Sequence, residues 1–482
     1  MKHQFFKLSF AVLLLVSYLG SQSAAQTKPS PAPDARRMDQ AVRFFSEEQK
    51  IFMGSVLVAR GSEVLVAKGY GMANLEWNIP NTTTTKFRLA SLSKQFTAAA
   101  ILLLEERGKL KVEDPIKKYL PDAPAAWDSI TIHHLLSHTS GLTDSRDDRS
   151  TDTLPSRPDK KVSGFLNQPG FLSKPLEFAP GARFNYSNRG YILLAYLIEK
   201  ISGQPFEDFL RVNIFEPLGM KDSGSDSYQA IIPRRASGYA YPRDPNSSLR
   251  ELLDSPVEHA PFIDMTNTIG AGSLYSTVED LHRWTEGLFG GKLLSAVSLA
   301  KMTTPVQGAY AYGLGARTVE GRRRITHLGG IQGFRTVFNY YPDSKVTVIV
   351  LANFDVLGYP EAGLRPAHEV IANWLGKLAH GEEITLPAER NAISLDAAML
   401  AGYAGVYEAL APGGSGIRLE YTVTLEDGRL YLQGPRLPKS QMHAEANDQF
   451  FLREREVQIE FTRDETSRVA ALVSGQIRAT RK

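Results

Sequence analysis

Leu89-Ala90-Ser91-Leu92-Ser93-Lys94-Gln95-Phe96, followed by Thr97 and the apolar run from Ala98 to Leu104, decides how the rest of the chain is read. A run of that length ending in Glu105-Glu106-Arg107-Gly108 reads as a helix buried on most sides and stopped by a glycine. Ser91 then sits in its first turn. Residues three apart share a helix face, so the Ser91 hydroxyl and the Lys94 amine can meet. The first amides of a helix have no internal partner and sit at the positive end of its dipole, so the Ser91 amide can stabilise an oxyanion. A serine at a helix start is more often a cap, and S-x-x-K is a short pattern, so the assignment rests on the rest of the chain.

Two further stretches supply it. Phe184-Asn185-Tyr186-Ser187-Asn188-Arg189-Gly190-Tyr191 leads into an amphipathic helix over 192–201, closed by Ser202-Gly203. Ser187 or Asn188 suits a cap, yet Tyr186 and Asn188 can also present a phenol and a carboxamide to one cleft. Arg324-Ile325-Thr326-His327-Leu328-Gly329-Gly330-Ile331-Gln332-Gly333-Phe334 runs into two strand signals, 335–341 and 345–351, with Pro342-Asp343-Ser344 as their turn. Gly329-Gly330 can be a simple bulge, but glycines there also let a substrate backbone lie along the strand edge. The Gly330 amide can then be the second oxyanion donor.

The 482 residues suggest two domains, and 43% hydrophobic with 22% charged residues is enough to bury large cores. Residues 1–25, with Lys2 and Lys7 before an apolar run from Leu8 to Leu19 and Ser23-Ala24-Ala25 behind it, have the form of a secretory signal peptide. Their loss would lower the net charge of +3 by two, leaving a nearly neutral chain that excludes nucleic acid as an expected partner. No stable membrane span is expected after that removal, and the expected place is the periplasm or the medium. Zero cysteines exclude disulfides, thiolate metal sites and a cysteine nucleophile. His133, His134 and His138 lack an acidic partner at ligand spacing and read as structural, with Thr139-Ser140-Gly141 turning beside the cleft. No metal and no cofactor are expected.

Residues 26–39, with Pro29, Pro31 and Pro33, read as a flexible tether. Gly54 to Gly71 reads as a hairpin turning at Gly61-Ser62. Strands at both ends with helices between predict, over 40–380, an α/β (α+β) layered domain: an antiparallel sheet with helices on both faces and a helical subdomain. Residues 381–396 read as a linker. Over 397–482 the pattern changes to short strands, with Asp427-Gly428 as a hairpin turn and 457–461 alternating strictly, which predicts a small antiparallel barrel or sandwich.

The three blocks S-x-x-K, Y-S-N and H-x-G, in this order, resemble those of the serine β-lactamase and D-alanyl-D-alanine peptidase family in its class C-like branch. Phe87-Arg88-Leu89-Ala90-Ser91, Leu135-Leu136-Ser137-His138-Thr139-Ser140-Gly141-Leu142, and 270–281 resemble that family as well. The C-terminal region resembles the lipocalin-like domains attached to some members. The resemblance implies Ser91 as acylated nucleophile, Lys94 and Tyr186 as the proton-transfer pair, and Asn188, His327, Gly329 and Gly330 in substrate binding. Amides of Ser91 and Gly330 would form the oxyanion hole. Lysine and tyrosine ordinarily ionise about three units above neutral, so a free base at pH 7 needs about 4 kcal/mol of environmental bias, and the base is assigned to the pair.

One departure matters. Many β-lactamases of this kind carry a lysine where this chain has His327, and a mostly neutral imidazole attracts a substrate carboxylate less. The implied function is a secreted serine hydrolase acting on an amide or ester, a D-alanyl-type peptide or small ester, with a small-molecule or peptide substrate as partner. A β-lactamase proper, a penicillin-binding sensor and a non-catalytic scaffold stand as alternatives. Arg322, Arg324 and Arg335 are candidates to replace the missing charge. No oligomeric state is assigned.

Overall fold

Strand-forming sequence from both ends of the first 380 residues joins into one sheet. The computed structural model describes residues 34–143, 174–242, 255–355, 366–410, 418–435, 439–453, 457–475 and 477–482. The signal-peptide form over 1–25 and most of the polar stretch from Thr143 to Lys161 lie outside the described residues. Strands β1 (Gly54–Arg60) and β2 (Glu63–Tyr70) form the expected hairpin, turning at Gly61. From the other end come β3 (Gly315–Val319), β4 (Arg322–Ile331), β5 (Phe334–Tyr341) and β6 (Val346–Ala352). The sheet order is β3-β4-β5-β6-β1-β2, and every neighbouring pair is antiparallel.

Both faces of this sheet are covered, which explains why β6 is buried at every position. Val56, Val58, Val348 and Val350 point to one side and pack with α1 (Ala35–Arg43) and α5 (Ala367–Ala379). Leu57, Ala59, Ile349 and Leu351 point to the other. There they join a larger core built around α2 (Ser93–Glu106), α3 (Asn188–Ser202) and α4 (Val278–Phe289). The layered α/β arrangement with a helical part is thus the observed fold. Helix α1 starts at Ala35 because the Asp34 carboxylate accepts from the amides of Arg36 and Arg37. Residues 35–39 of the stretch read as tether are therefore helical, with Met38 wholly buried.

The C-terminal strands close an eight-stranded up-and-down barrel, β7 (Gly405–Leu410), β8 (Arg418–Glu426), β9 (Arg429–Gln433), β10 (Ser440–Ala446), β11 (Gln449–Leu452), β12 (Val457–Arg463), β13 (Val469–Ser474) and β14 (Ile477–Arg481). Closure comes from pairing Tyr407 with Arg481 and Glu408 with Thr480. Asp427 and Gly428 both have positive φ, 47° and 73°, as a type I′ hairpin turn requires. Alternation places Val457, Ile459 and Phe461 inside, and the interior is filled by side chains, as expected of eight strands. The barrel is compatible with a lipocalin-like domain. The segment read as a linker is anchored: Glu389 pairs with Arg37, and Ile393 bridges to Ala444 in β10.

Candidate active site

Ser91 sits in a tight 3₁₀ turn, Ala90–Leu92, that runs directly into α2. Ala90 has φ of 49°, a left-handed conformation costing a non-glycine residue roughly 1–2 kcal/mol. The turn is held regardless, by the Leu89 amide on Leu274 O at 2.8 Å and by the Ser93 hydroxyl accepting from the Leu274 amide at 3.1 Å. Behind it, α2 is buried from Ser93 through Leu104, and Gly108 follows with φ of 67°. A helix so immobilised holds Ser91 at its mouth with little freedom.

Lys94 is wholly buried. Its Nζ donates to Ser91 Oγ at 3.2 Å, to Asn188 Oδ1 at 2.8 Å and to Ala271 O at 2.7 Å. Acceptors on several sides of one nitrogen are how so polar a group is tolerated in the interior. The amine also lies over the ring of Tyr186, 4.8 Å from its centroid, and 5.6 Å from that of Tyr191. The first two sequence blocks therefore meet at one nitrogen.

Ser187 caps α3, its Oγ accepting from Gly190 N, and this leaves Tyr186 just outside the helix and Asn188 just inside it. The Tyr186 ring lies against His138, centroids 4.2 Å apart. His138 is held in turn by the Ser187 amide, which donates to its Nδ1 at 3.1 Å. Burial, and then the nearby charge of Lys94, drive the His138 pKa well below its ordinary value, so the ring stays neutral. His133 and His134 are occupied elsewhere, His133 with the Tyr312 hydroxyl at 2.5 Å and His134 in a capping box with Thr131. Among the described residues no cluster of metal-ligating side chains is found.

The third block lies on β4. Strand β3 pairs with β4 only as far as Thr326, whereas β5 pairs along it to Ile331. Among the described residues, the outer edge of 327–331 is left without a strand partner, open to an extended chain. Gly329 faces the Ser91 turn closely: a Cβ there would lie 2.1 Å from Thr336 Oγ1 and 2.4 Å from Leu89 O. The Thr336 hydroxyl, donating to Leu89 O at 2.9 Å, pins the sheet to that turn. His327 is buried, with Nδ1 2.7 Å from Leu328 O and Nε2 3.0 Å from the Tyr310 hydroxyl. Burial and the Lys94 charge push its pKa down to about 3.

The β-lactamase family pattern matches residues 38–371, more than two thirds of the chain. This chain belongs to the β-lactamase family. Residues 389–477 match a second pattern, a domain of unknown function, DUF3471. Penicillin-binding protein 4* of Bacillus subtilis (strain 168) is 32% identical over 427 residues, covering 86% of this chain and 91% of its own. A penicillin-binding protein from Bacillus halodurans superposes with a TM-score of 0.58 at 30% identity, covering 69% of this chain and 97% of its own. An octameric penicillin-binding protein homologue from Pyrococcus abyssi shares the fold over 92% of this chain and 99% of its own, with a TM-score of 0.63 at 24% identity. As a member of the β-lactamase family the chain is a serine hydrolase.

For a β-lactamase-family enzyme, two features of this cleft escape sequence reading. Tyr310, half-buried, is ringed by His327, His138, Phe184 and Tyr186, yet it lies in the irregular stretch 307–314, where no periodicity marks it. His138, read as a structural histidine before the Thr139-Ser140-Gly141 turn, is the surface on which Tyr186 rests. The three arginines separate: Arg322 pairs with Glu382 and Arg324 reaches Asn373 at 2.9 Å, both away from Ser91. Arg335, on β5 directly opposite Gly330 of β4, is bound to buried Asp355 at 2.8 Å.

Proposed function

We propose that the chain is an exported hydrolase that forms an acyl-enzyme on Ser91 and acts on a D-alanyl-type peptide or a small ester. The observation that carries this is the single Lys94 amine bonded to both Ser91 Oγ and Asn188 Oδ1 with the Tyr186 ring against it. In this reading Ser91 Oγ attacks the substrate carbonyl while its proton passes to the Lys94–Tyr186 pair. That proton then goes to the departing amine or alcohol, and water repeats the sequence to release the acid. The amides of Ser91 and Gly330 hold the carbonyl oxygen as it becomes negative. Asn188 orients Lys94 and the substrate, and the open edge beside Gly329 receives the substrate backbone.

A neutral His327 supports an esterase, or a peptidase whose substrate has no carboxylate facing that ring, over a β-lactamase proper, because it offers no fixed cation to a substrate carboxylate. Penicillin binding, named for the Bacillus subtilis relative, would be acylation of the same Ser91. Residues 1–25 are taken as the export signal, 40–380 as the hydrolase domain and 397–482 as an accessory barrel. Turnover of a chromogenic cephalosporin, a D-alanyl dipeptide mimic and a short nitrophenyl ester by wild type and Ser91→Ala tests the reading, with mass spectrometry for an adduct on Ser91. Hydrolysis of the dipeptide or ester, abolished in the variant, is expected. Activity surviving in Ser91→Ala discards the nucleophile, and a lasting adduct without turnover makes the protein a penicillin-binding sensor.

A further inference from the structure

His138 grips the loop that carries Tyr186 at two points. Its carbonyl accepts from the Asn185 amide at 2.8 Å and its Nδ1 accepts from the Ser187 amide at 3.1 Å, so the chain on either side of Tyr186 is tied to one residue. A backbone amide can only donate; Nδ1 therefore carries no proton, and the hydrogen bond itself makes the ring a neutral Nε2–H imidazole. That N–H is buried and, among the described residues, has no hydrogen-bond partner. Around it stand the rings of Tyr186, Tyr310, Tyr191 and Phe184, with centroids 4.2, 4.7, 5.0 and 5.9 Å away, and near them Lys94 of α2 and His327 of β4. The residue also has φ of 59°, a left-handed conformation uncommon for a residue with a Cβ. An unpaired buried donor and a left-handed backbone both cost stability, and a residue kept only for packing needs neither. Asparagine would supply the acceptor without the flat face, and phenylalanine the face without the acceptor; histidine joins the two.

We propose that His138 is a positioning residue for proton transfer: its Nδ1 sets the backbone from which Tyr186 and Asn188 project, and its ring face holds the Tyr186 ring against Lys94. The Tyr186 ring lies 4.2 Å from the imidazole centroid and 4.8 Å from the Lys94 amine, and that amine also reaches Asn188 Oδ1 at 2.8 Å. A change at position 138 therefore reaches the phenol, the amine and the carboxamide together. Lysine and tyrosine ordinarily ionise far above neutral, and the pair supplies a base near pH 7 only while the two groups are held close and shielded from water. The catalytic half of the inference rests on the Ser91 reading above; the tautomer and the two-point grip do not.

The test uses the full chain. In protein labelled with ¹⁵N at histidine and serine, NMR at pH 7 is expected to show coupling across the hydrogen bond from the Ser187 amide to an unprotonated Nδ1, with the proton on Nε2. His138→Asn keeps an acceptor near the Nδ1 position and suits the left-handed backbone, but removes the ring. With a short nitrophenyl ester it is expected to lower kcat about 10- to 100-fold with KM little changed, and to move the acid limb of the pH–rate profile to higher pH. In a Tyr186→Phe background the same substitution should change kcat less than about 3-fold, since its effect passes through the phenol. General loosening of the fold would produce neither the moved limb nor that dependence. A protonated Nδ1 overturns the proposal in wild type alone, whether or not the variant folds. So does a folded His138→Asn protein with unchanged kcat and acid limb, or an equal fall in both backgrounds. Hydrolysis persisting in Ser91→Ala would remove the hydrolase reading while leaving the NMR result intact.

Discussion

The cleft and the barrel bury different things. Around Ser91 the interior holds Lys94, Gln95, His138 and His327, while the described barrel strands bury one polar residue, Ser440, among aliphatic and aromatic side chains. Buried polar groups cost stability unless every donor and acceptor is satisfied, so a fold retains them where they do something besides pack. The barrel is organised for packing and the cleft for chemistry. Changes in the first should therefore appear in stability, and changes in the second in turnover.

The sharpest contrast is Lys94→Met against Phe461→Ala. Methionine fills the lysine's volume without its charge, and replacing a buried charge by a hydrophobe of similar size is often neutral for stability. We expect kcat to fall about 10³-fold or more, with urea unfolding moved by no more than about 1 kcal/mol. In the barrel, Phe461 packs against Tyr403 and Phe450 with centroids 4.8 Å and 5.6 Å away, and its truncation should cost about 3 to 5 kcal/mol. Ester turnover at 20 °C should be unchanged while the unfolding transition of the barrel drops. Parallel losses of activity and stability in both variants would erase the distinction.

Gly329→Ala lies between these extremes. A Cβ at that site meets Leu89 O and Thr336 Oγ1, so β4 must move away from the Ser91 turn. A displacement of about 1 Å should cost about 10- to 100-fold in kcat/KM, with a smaller change in melting temperature. Equal activity in the variant would mean that the strand edge does not contact substrate.

What was legible in the chain follows from the range of the forces involved. The end of α2 at Gly108, the Ser187 cap of α3 and the Asp427-Gly428 turn are local events written within a few residues. The three blocks were legible as separate motifs, and their convergence became an expectation only through the family resemblance. Tyr310 was not legible, because its meaning comes from His327, His138 and Tyr186, brought together from three separate segments of chain. Nor was Arg335 separable from Arg322 and Arg324 by sequence, since only tertiary structure assigns each its partner.

Acid should divide the two regions by a smaller margin per residue. His327 and His368 have pKa values pushed down to about 3, and His138 is also held well below its ordinary value, in each case mainly by burial. All three are uncharged in the fold but take up a proton in the unfolded chain below about pH 6.5. The unfolded state then binds more protons, so stability falls with acid from about pH 6.5 downward, until the folded pKa is reached. Between pH 7 and 5 each such histidine removes about 2 kcal/mol. Asp114, with its pKa lowered to about 2, loses its contribution only at lower pH, outside that window. None of the buried residues of the described barrel is a histidine, so the barrel should hold at pH 5 while the sheet domain weakens. Alkali cannot make this separation, because buried tyrosines with raised pKa values occur in both regions, Tyr407 and Tyr421 at about 12 in the barrel and Tyr191 in the cleft. Replacing His368, remote from Ser91 on α5, by Asn removes one titrating ring, and urea unfolding at pH 7 and 5 should then show about 1 to 2 kcal/mol less acid loss than wild type. An unaltered difference between the two pH values would place the acid sensitivity in other groups.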